Sequence, residues 1–256
     1  MILNLGTLDT ITCLLLTACI LFAAFTGLLF FFRKKTDKKG DVFFTTFLFT
    51  FALLLLHHLL ILLSVYQQHP QLLFLPVYFT LSFGPLLFFS VKLWLYPAYQ
   101  FVWSDLKHAI LPLGQLLYFL IIFFSALPFK IGLGRNFFSP FYGGVEMLLY
   151  ISTFYLYLYS AHRYIRYKRW TLRHSQDLFE KQNVLFLNRL VKVLFVLFWI
   201  NSGYIVTDFV VYQILDVNLH SLKGFTRFGD LSLAAMVFWV SWNGWKNIFK
   251  KNKHEN

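Results

Sequence analysis

The chain has 256 residues, of which 58% are hydrophobic and only 13% are charged. Soluble domains carry roughly 25% charged residues, and a soluble domain of this size could not bury so much apolar surface because it needs a wetted exterior. Phe alone occurs 33 times, and the mean hydropathy is +0.62. The composition excludes an ordinary soluble protein and indicates an integral membrane protein.

The net charge of +12 is distributed in short basic runs between long apolar stretches. This distribution is typical of the flanks of membrane spans rather than of a nucleic-acid surface. Cys13 and Cys19 both lie in the first apolar stretch. Six residues of helix separate them by about 9 Å along the axis, so they cannot bridge each other, and their spacing is not that of a zinc site.

Seven stretches are apolar enough to cross a bilayer, which takes about 20 residues of helix. They lie at about 10–32, 42–66, 72–94, 108–127, 144–161, 184–212 and 225–245. Pro76 and Gly84-Pro85 should bend or break the third stretch. We therefore expect an all-α polytopic membrane protein whose seven transmembrane helices form one domain over 1–256.

The basic residues predict the orientation of these spans. No Lys or Arg precedes the first span, and the cluster Arg33-Lys34-Lys35 follows it, which argues against a signal peptide and places the amino terminus outside. Alternation then places 33–41, 95–107, 163–183 and the carboxy-terminal tail in the cytoplasm. The basic residues left outside are Lys130, Arg135, Lys223 and Arg227. The predicted outer connections lie near 128–142 and 214–224.

Ionisable residues inside a membrane are costly and are therefore candidates for function. The candidates for an outer ligand or proton cavity are His57, His58, Glu146, Asn201, Asp208 and Asp230. Helical rise places the ionisable ones in the outer half of the bilayer. Adjacent helical residues point about 100° apart, so His57 and His58 cannot both face one small site. The alternatives are hydrogen bonds between helices and wetted positions at the interface.

The sequences of familiar intramembrane enzymes contain motifs that this chain lacks. It has no His-Glu-x-x-His zinc motif, no repeated histidine clusters of a desaturase and no Gly-x-Ser-x turn of a rhomboid protease. Asp208 and Asp230 lie in consecutive spans, but the flanking residues break the presenilin pattern. The seventh span has no central lysine for retinal. We predict no catalytic residue, metal ligand or cofactor.

A basic segment between the fifth and sixth spans is interleaved with aromatic residues. The candidate contact residues are Arg163, Arg166, Lys168, Arg169, Trp170 and Arg173. Next to a span, each basic residue gains about 1 kcal/mol from anionic lipid. We predict a contact with anionic lipid on the cytoplasmic side. A cytoplasmic protein partner is the alternative, and nucleic acid ranks last.

Two segments carry a family resemblance. Residues 84–92 read Gly-Pro-Leu-Leu-Phe-Phe-Ser-Val-Lys, and residues 105–112 read Asp-Leu-Lys-His-Ala-Ile-Leu-Pro. This pattern resembles the multi-span sensor domains that are fused to AraC-type helix-turn-helix regulators in Bacteroidetes, and Trp199-Ile200-Asn201 and Gly244 also look similar. The resemblance implies a seven-helix bundle in a bacterial inner membrane, without enzymatic machinery, that signals to a cytoplasmic partner.

The resemblance stops short of the regulator. In that family a DNA-binding domain follows the last span, whereas the polar tail 250–256 follows it here. Either the chain is a stand-alone relative of the sensor domain or the regulator half has been removed, and the polar tail favours the first interpretation. DNA binding therefore does not carry over, and the resemblance transfers no ligand residue.

Three functions from different classes remain open. The leading hypothesis is a non-enzymatic receptor-like or scaffold protein that passes a signal to, or anchors, a partner protein or another copy of itself. The first alternative is an accessory subunit of a complex for secretion, envelope assembly or ion-driven work, with Phe43, Phe44, Phe47 and Phe51 buried against another protein. The second is a lipid-acting enzyme or proton-coupled transporter that uses His57 or His58 with Asp208 or Glu146.

Overall fold

The computed structural model describes residues 6–33, 38–137, 140–174 and 176–252, and every regular element in these ranges is helical. Residues 34–37 of the basic cluster and 253–256 of the tail lie outside the described residues. The helices are α1 (Thr7–Phe32), α2 (Lys39–Leu62), α3 (Val65–Gln68), α4 (Phe83–Leu95), α5 (Ile110–Phe123), α6 (Leu127–Phe137), α7 (Pro140–Thr171), α8 (Leu178–Leu215) and α9 (Lys223–Asn252). Short 3-10 turns lie at Pro70–Leu72, Thr80–Ser82, Trp103–Ala109 and Leu219–Ser221.

Four helical stretches are long and apolar enough to cross a membrane. They are Thr7–Phe32, Lys39–Leu62, Trp103–Phe123 and Glu180–Leu215. Helices α7 and α9 have 32 and 30 residues, which exceeds the length that a bilayer requires. Their many tyrosine, tryptophan and charged residues lower their mean hydropathy. They are therefore long enough to cross a membrane but less apolar than the four stretches above.

The predicted break in the third stretch is confirmed. Pro76 lies in an irregular segment that ends at the 3-10 turn Thr80–Ser82, and Phe74 in this segment has a left-handed φ of 62°. Pro85 lies in the first turn of α4, where a missing N–H costs nothing. With 13 residues, α4 spans only about 20 Å. It is nearly all buried and packs between α2 and α7.

Two predicted connections are helical. The region near 128–142 contains α6, whose Lys130 Nζ donates a hydrogen bond to the backbone oxygen of Gln71 at 3.0 Å. The predicted cytoplasmic connection 163–183 is mostly helix, because α7 continues to Thr171 and α8 begins at Leu178, capped by the Asp177 side chain. Charged residues can extend a helix where it leaves the apolar layer, so hydropathy underestimates the length of both helices.

The core contains fully buried phenylalanine rings from five helices, α1, α2, α4, α7 and α8. Phe44, Phe47 and Phe51 of α2 are fully buried, and the Phe51 and Phe83 ring centroids lie 4.3 Å apart. Phe43 packs against Phe89 and Phe101 of the same chain. The expectation that these α2 rings are buried against another protein is therefore wrong for Phe44, Phe47 and Phe51, which are internal, whereas Phe43 is partly buried.

The outer surface of the bundle is apolar. Large side chains are exposed along α1 and α5; they include Leu14, Leu21, Phe32, Leu117, Ile121 and Phe124. A soluble monomer rarely exposes such extended apolar surface. The surface therefore agrees with a membrane protein.

The two ends of the bundle differ in chemistry. Asp9 at the start of α1 contacts Arg227 at the start of α9, and the end of α2 reaches the same place through His58. We call this the Asp230 end. At the opposite end, which we call the Arg166 end, the carboxyl end of α7 meets the start of α8.

Candidate functional site

Four ionisable side chains from three helices form a continuous hydrogen-bonded chain at the Asp230 end. His58 Nδ1 of α2 donates to Asp230 Oδ1 of α9 at 2.8 Å. Arg227 Nη1 donates to Asp230 Oδ2 at 2.9 Å, and its Nε donates to Asp9 Oδ1 of α1 at 2.8 Å. We call Asp9, His58, Arg227 and Asp230 the Asp230 network.

The local sequence explains how the network assembles. Arg227 and Asp230 are three residues apart and therefore share one face of α9. Asp9 lies in the first turn of α1, where the helix dipole favours a carboxylate. Arg227 lies near the start of α9, where the dipole disfavours a cation, and the two carboxylates offset that cost.

Burial makes this network energetically demanding. The exposed fractions of the side chains are 7% for Asp230, 12% for Asp9, 15% for Arg227 and 31% for His58. Buried charges are tolerated only when they are paired, and here each has a partner. His58 is the most accessible member, and its Nδ1 is occupied by Asp230, so its Nε2 is the atom left for another group.

His57 serves a different contact from His58. Its Nδ1 shares a hydrogen bond of 2.8 Å with the Tyr66 hydroxyl, and its ring packs against Tyr66 and Tyr78. The two histidine rings are nearly perpendicular, with an interplanar angle of 89°. The expectation that they do not share one small site is confirmed.

Glu146 belongs to a second cluster, which is centred on Gln115 of α5. Gln115 Nε2 donates to Glu146 Oε1 at 3.1 Å and to Thr80 Oγ1 at 3.0 Å, and Gln115 Oε1 accepts the Leu81 N–H at 3.0 Å. Gln115 and Thr80 are buried. This cluster ties α5 and α7 to the irregular segment before α4.

Asn201 joins α8 to α9. Its Nδ2 donates to Ser232 Oγ at 2.9 Å, and Ser232 in turn donates to the Gly229 backbone oxygen at 2.8 Å. The Tyr150 hydroxyl of α7 lies 3.5 Å from Asn201 Oδ1. Because Ser232 follows Asp230 by two residues, Asn201 fixes the helix that carries the Asp230 network.

Asp208 is half-buried on α8, one turn beyond Tyr204. The Tyr204 ring lies directly over Gly229, where an added Cβ would collide with the ring. The structure thus divides the six predicted cavity residues among several contacts, and of these six only His58 and Asp230 belong to the Asp230 network. The sequence pattern did not reveal Asp9 and Arg227 of the Asp230 network, or Gln115 of the cluster that contains Glu146.

The basic segment surrounds a cavity of about 510 Å³ at the Arg166 end. Its lining contains Arg166, Arg169, Trp170, Leu172, Arg173, Lys181, Val184 and Leu185. Lys168 instead pairs with Glu180 at 2.6 Å. Arg163 is exposed one turn earlier on α7 and does not line the cavity. Four of the six predicted contact residues therefore share one cavity.

A further cluster occupies the segments 84–92 and 105–112. The buried Lys92 Nζ lies 3.5 Å from the centroid of the Tyr99 ring. The Tyr99 hydroxyl donates to Asp105 Oδ2 at 2.7 Å, and this hydrogen bond raises the pKa of Tyr99 to about 12. His108 and Tyr157 share a hydrogen bond. We call Lys92, Tyr99, Asp105 and His108 the Lys92 cluster.

Within the described ranges, no three His, Cys, Asp or Glu side chains lie close enough together to hold a metal ion. A comparison with family models and a comparison with curated proteins found no match to this chain. The Asp230 network and the cavity at the Arg166 end are therefore the features from which a function can be inferred.

Proposed function

We propose that this chain is a non-enzymatic, receptor-like membrane protein of the bacterial inner membrane that passes a signal from the Asp230 network to a partner at the Arg166 end. The observation that carries the proposal is the Asp230 network itself. Well-packed apolar residues are often as stable as a buried ion network or more so, and ionisable residues within a membrane usually serve a function. A purely structural bundle would not require this arrangement.

Seven crossings are supported by the correspondence between predicted spans and elements. Five of the predicted stretches each overlap one helix of 24 or more residues. The third overlaps the irregular segment and α4, and the fourth overlaps the 3-10 turn Trp103–Ala109 and the 14-residue α5. The starts of α1 and α9 meet each other at the end of α2, as expected when successive spans alternate in direction. The irregular segment before α4 is bonded to Gln115, which is how nonhelical backbone is tolerated at membrane depth.

The distribution of basic residues supports the orientation. Arg163, Arg166, Arg169 and Arg173 lie at the Arg166 end, so the positive-inside rule places that end in the cytoplasm. The Asp230 end then faces outside, with the amino terminus. The resemblance of the segments 84–92 and 105–112 to regulator sensor domains agrees with this arrangement.

Two long helices connect the ends. Helices α7 and α8 have 32 and 38 residues, so they extend about 48 and 57 Å, more than the roughly 30 Å of the hydrocarbon core. Asn201 of α8 is bonded to α9 beside the Asp230 network. A shift of α9 at one end therefore moves the helix that begins at the cavity at the other end.

The charges of the Asp230 network indicate what it senses. Two carboxylates face the buried Arg227 guanidinium, and the exposed Lys223 ammonium lies 3.9 Å from Asp9 Oδ2. Within the buried part of the network one guanidinium therefore serves two carboxylates, and a proton on His58 or a small cation beside it balances the charge around Asp230. Asp230 on α9 faces His58 directly, Arg227 and Asp9 lie behind it, and His57 adjoins it on its own helix. The proposed signal is cationic.

The test measures the distance between two spin labels at the Arg166 end. Tyr167→Cys on α7 and Lys246→Cys on α9 carry the labels, with Cys13 and Cys19 replaced by alanine. Both labelled positions are exposed. Between about pH 5 and 8, where histidine changes charge, the distance distribution should change in the otherwise native protein and in His57→Gln. It should not change in His58→Gln. An unchanged distribution in the native protein, or a response retained in His58→Gln, contradicts the proposal.

A further inference from the structure

The cavity at the Arg166 end is cationic on one side. Arg166, Arg169 and Arg173 come from the carboxyl end of α7 and the residues after it, and Lys181 comes from the first turn of α8. Among the described residues that line the cavity there is no Asp or Glu. In the part of the chain that the structure describes, none of these four cations forms an ion pair, whereas neighbouring Lys168 is paired with Glu180.

Four cations around one cavity repel one another unless an anion lies between them. Guanidinium groups bind phosphate oxygens in a bidentate manner, which gives strong and geometrically defined contacts. A cavity of about 510 Å³ is large enough for a phosphate group with its attached glycerol. The chemistry of the charged wall is therefore that of a phosphate site.

The other wall of the cavity is apolar. Leu172 and Val184 are buried, Leu185 is exposed, and the Trp170 side chain at the rim is 69% exposed. Val184 and Leu185 begin the apolar part of α8, so the cavity opens where the basic segment meets the apolar surface. Indole rings prefer that depth at a membrane interface. A soluble anion has no apolar part that could contact this wall, whereas a phospholipid has a glycerol group and acyl chains that could.

We propose that this cavity is a specific site for an anionic phospholipid, whose phosphate lies among Arg166, Arg169, Arg173 and Lys181 and whose acyl chains run along Leu185. The proposal rests on the membrane insertion of α7 and α8 in the proposed function, because only insertion brings the cavity to headgroup depth. It does not depend on the signal at the Asp230 network.

The test is native mass spectrometry of the full chain in detergent with equal amounts of phosphatidic acid and phosphatidylcholine of the same acyl composition. The native protein should retain phosphatidic acid in preference to phosphatidylcholine. Each charged hydrogen bond to the phosphate contributes to the free energy of lipid binding, and the loss of one weakens that binding by about tenfold or more. Arg166→Gln/Arg169→Gln/Arg173→Gln should therefore abolish the preference, and Lys181→Gln on the other helix should weaken it in the same direction.

The matched control removes three exposed cations outside the cavity, as Lys107→Gln/Arg163→Gln/Lys192→Gln. It carries the same change in net charge and should retain the preference for phosphatidic acid. Equal loss in the control would show that net charge alone attracts the lipid and would overturn the site. Retention in the cavity variant would overturn it as well. Displacement of the lipid by inorganic phosphate at comparable concentration would overturn the assignment to a lipid.

Because lipid retention is measured in detergent, it is independent of the spin-label response. Loss of that response with lipid retention intact would reject the signalling function and keep the lipid site.

Discussion

His58 Nδ1 lies 2.8 Å from Asp230 Oδ1, although the two residues are 172 positions apart in the chain. This contact joins α2 to α9, and Arg227 extends it to α1. A carboxylate that accepts hydrogen bonds from both an imidazole and a guanidinium is well satisfied, but it depends on three helices keeping their positions. The contact therefore forms only when α1, α2 and α9 are packed together at the Asp230 end.

Removing the charge of Asp230 should destabilise the bundle. Asp230→Asn leaves His58 and Arg227 buried with one weaker partner, and breaking a buried ion pair costs about 3–5 kcal/mol. Because Arg227 keeps its ion pair with Asp9, we expect the free energy of unfolding to fall by an amount at or below the lower end of that range. Thermal unfolding in detergent measures it. Asp216→Asn, at an exposed position, is the control and should shift the midpoint less; equal shifts would contradict the central place of Asp230.

Arg227 and Asp9 should be energetically coupled. A double-mutant cycle with Asp9→Asn and Arg227→Gln should give a coupling free energy of about 0.5–3 kcal/mol, the range for residues in one ion network. Denaturant unfolding of the native protein, both single variants and the double variant provides the four values. Strict additivity would mean that the 2.8 Å contact between Arg227 Nε and Asp9 Oδ1 does not contribute to stability.

Gly84 should not tolerate a methyl group. An added Cβ would collide with the Tyr157 ring, and overpacking of this kind costs about 1–3 kcal/mol. Gly84→Ala should therefore lower the unfolding midpoint. Gly114→Ala is the matched control, because nothing lies within 4 Å of its added Cβ. A neutral Gly84→Ala would show that α4 and α7 do not pack this closely.

Gln115 should contribute to the stability of the fold, although it lies in an apolar helix. Gln115→Leu removes the acceptor for the Leu81 N–H and the donor to Glu146, and an unsatisfied buried polar group costs about 1–3 kcal/mol. The free energy of unfolding should fall accordingly. Gln100→Leu, at an exposed position, is the control and should have little effect. If both variants behave alike, the Gln115 cluster is not formed.

The sequence predicted the helical class, the approximate positions of the apolar helices and the break near Pro76. It misjudged the region 163–183, because hydropathy locates the apolar part of a helix and not its ends. It also did not reveal α6, which has only 11 residues and too mixed a composition to resemble a membrane span. These differences all lie outside the apolar parts of the helices.

The candidate site was only partly predictable. The rarity of ionisable residues in apolar stretches identified His58 and Asp230, but their pairing depends on tertiary packing. Arg227 lay at the edge of its span and was therefore interpreted as a loop charge. Asp9 is 218 positions from Arg227, and no local pattern indicates such a contact.

The most direct test of the account is the accessibility of single cysteines at the two ends in intact cells. Leu222→Cys at the Asp230 end and Tyr167→Cys at the Arg166 end, both exposed, are introduced after Cys13 and Cys19 are replaced by alanine. A membrane-impermeant maleimide should label the cysteine at 222 from outside, and it should label the cysteine at 167 only after the membrane is permeabilised. Labelling of both positions from the same side would contradict a protein that carries a signal from one face of the membrane to the other.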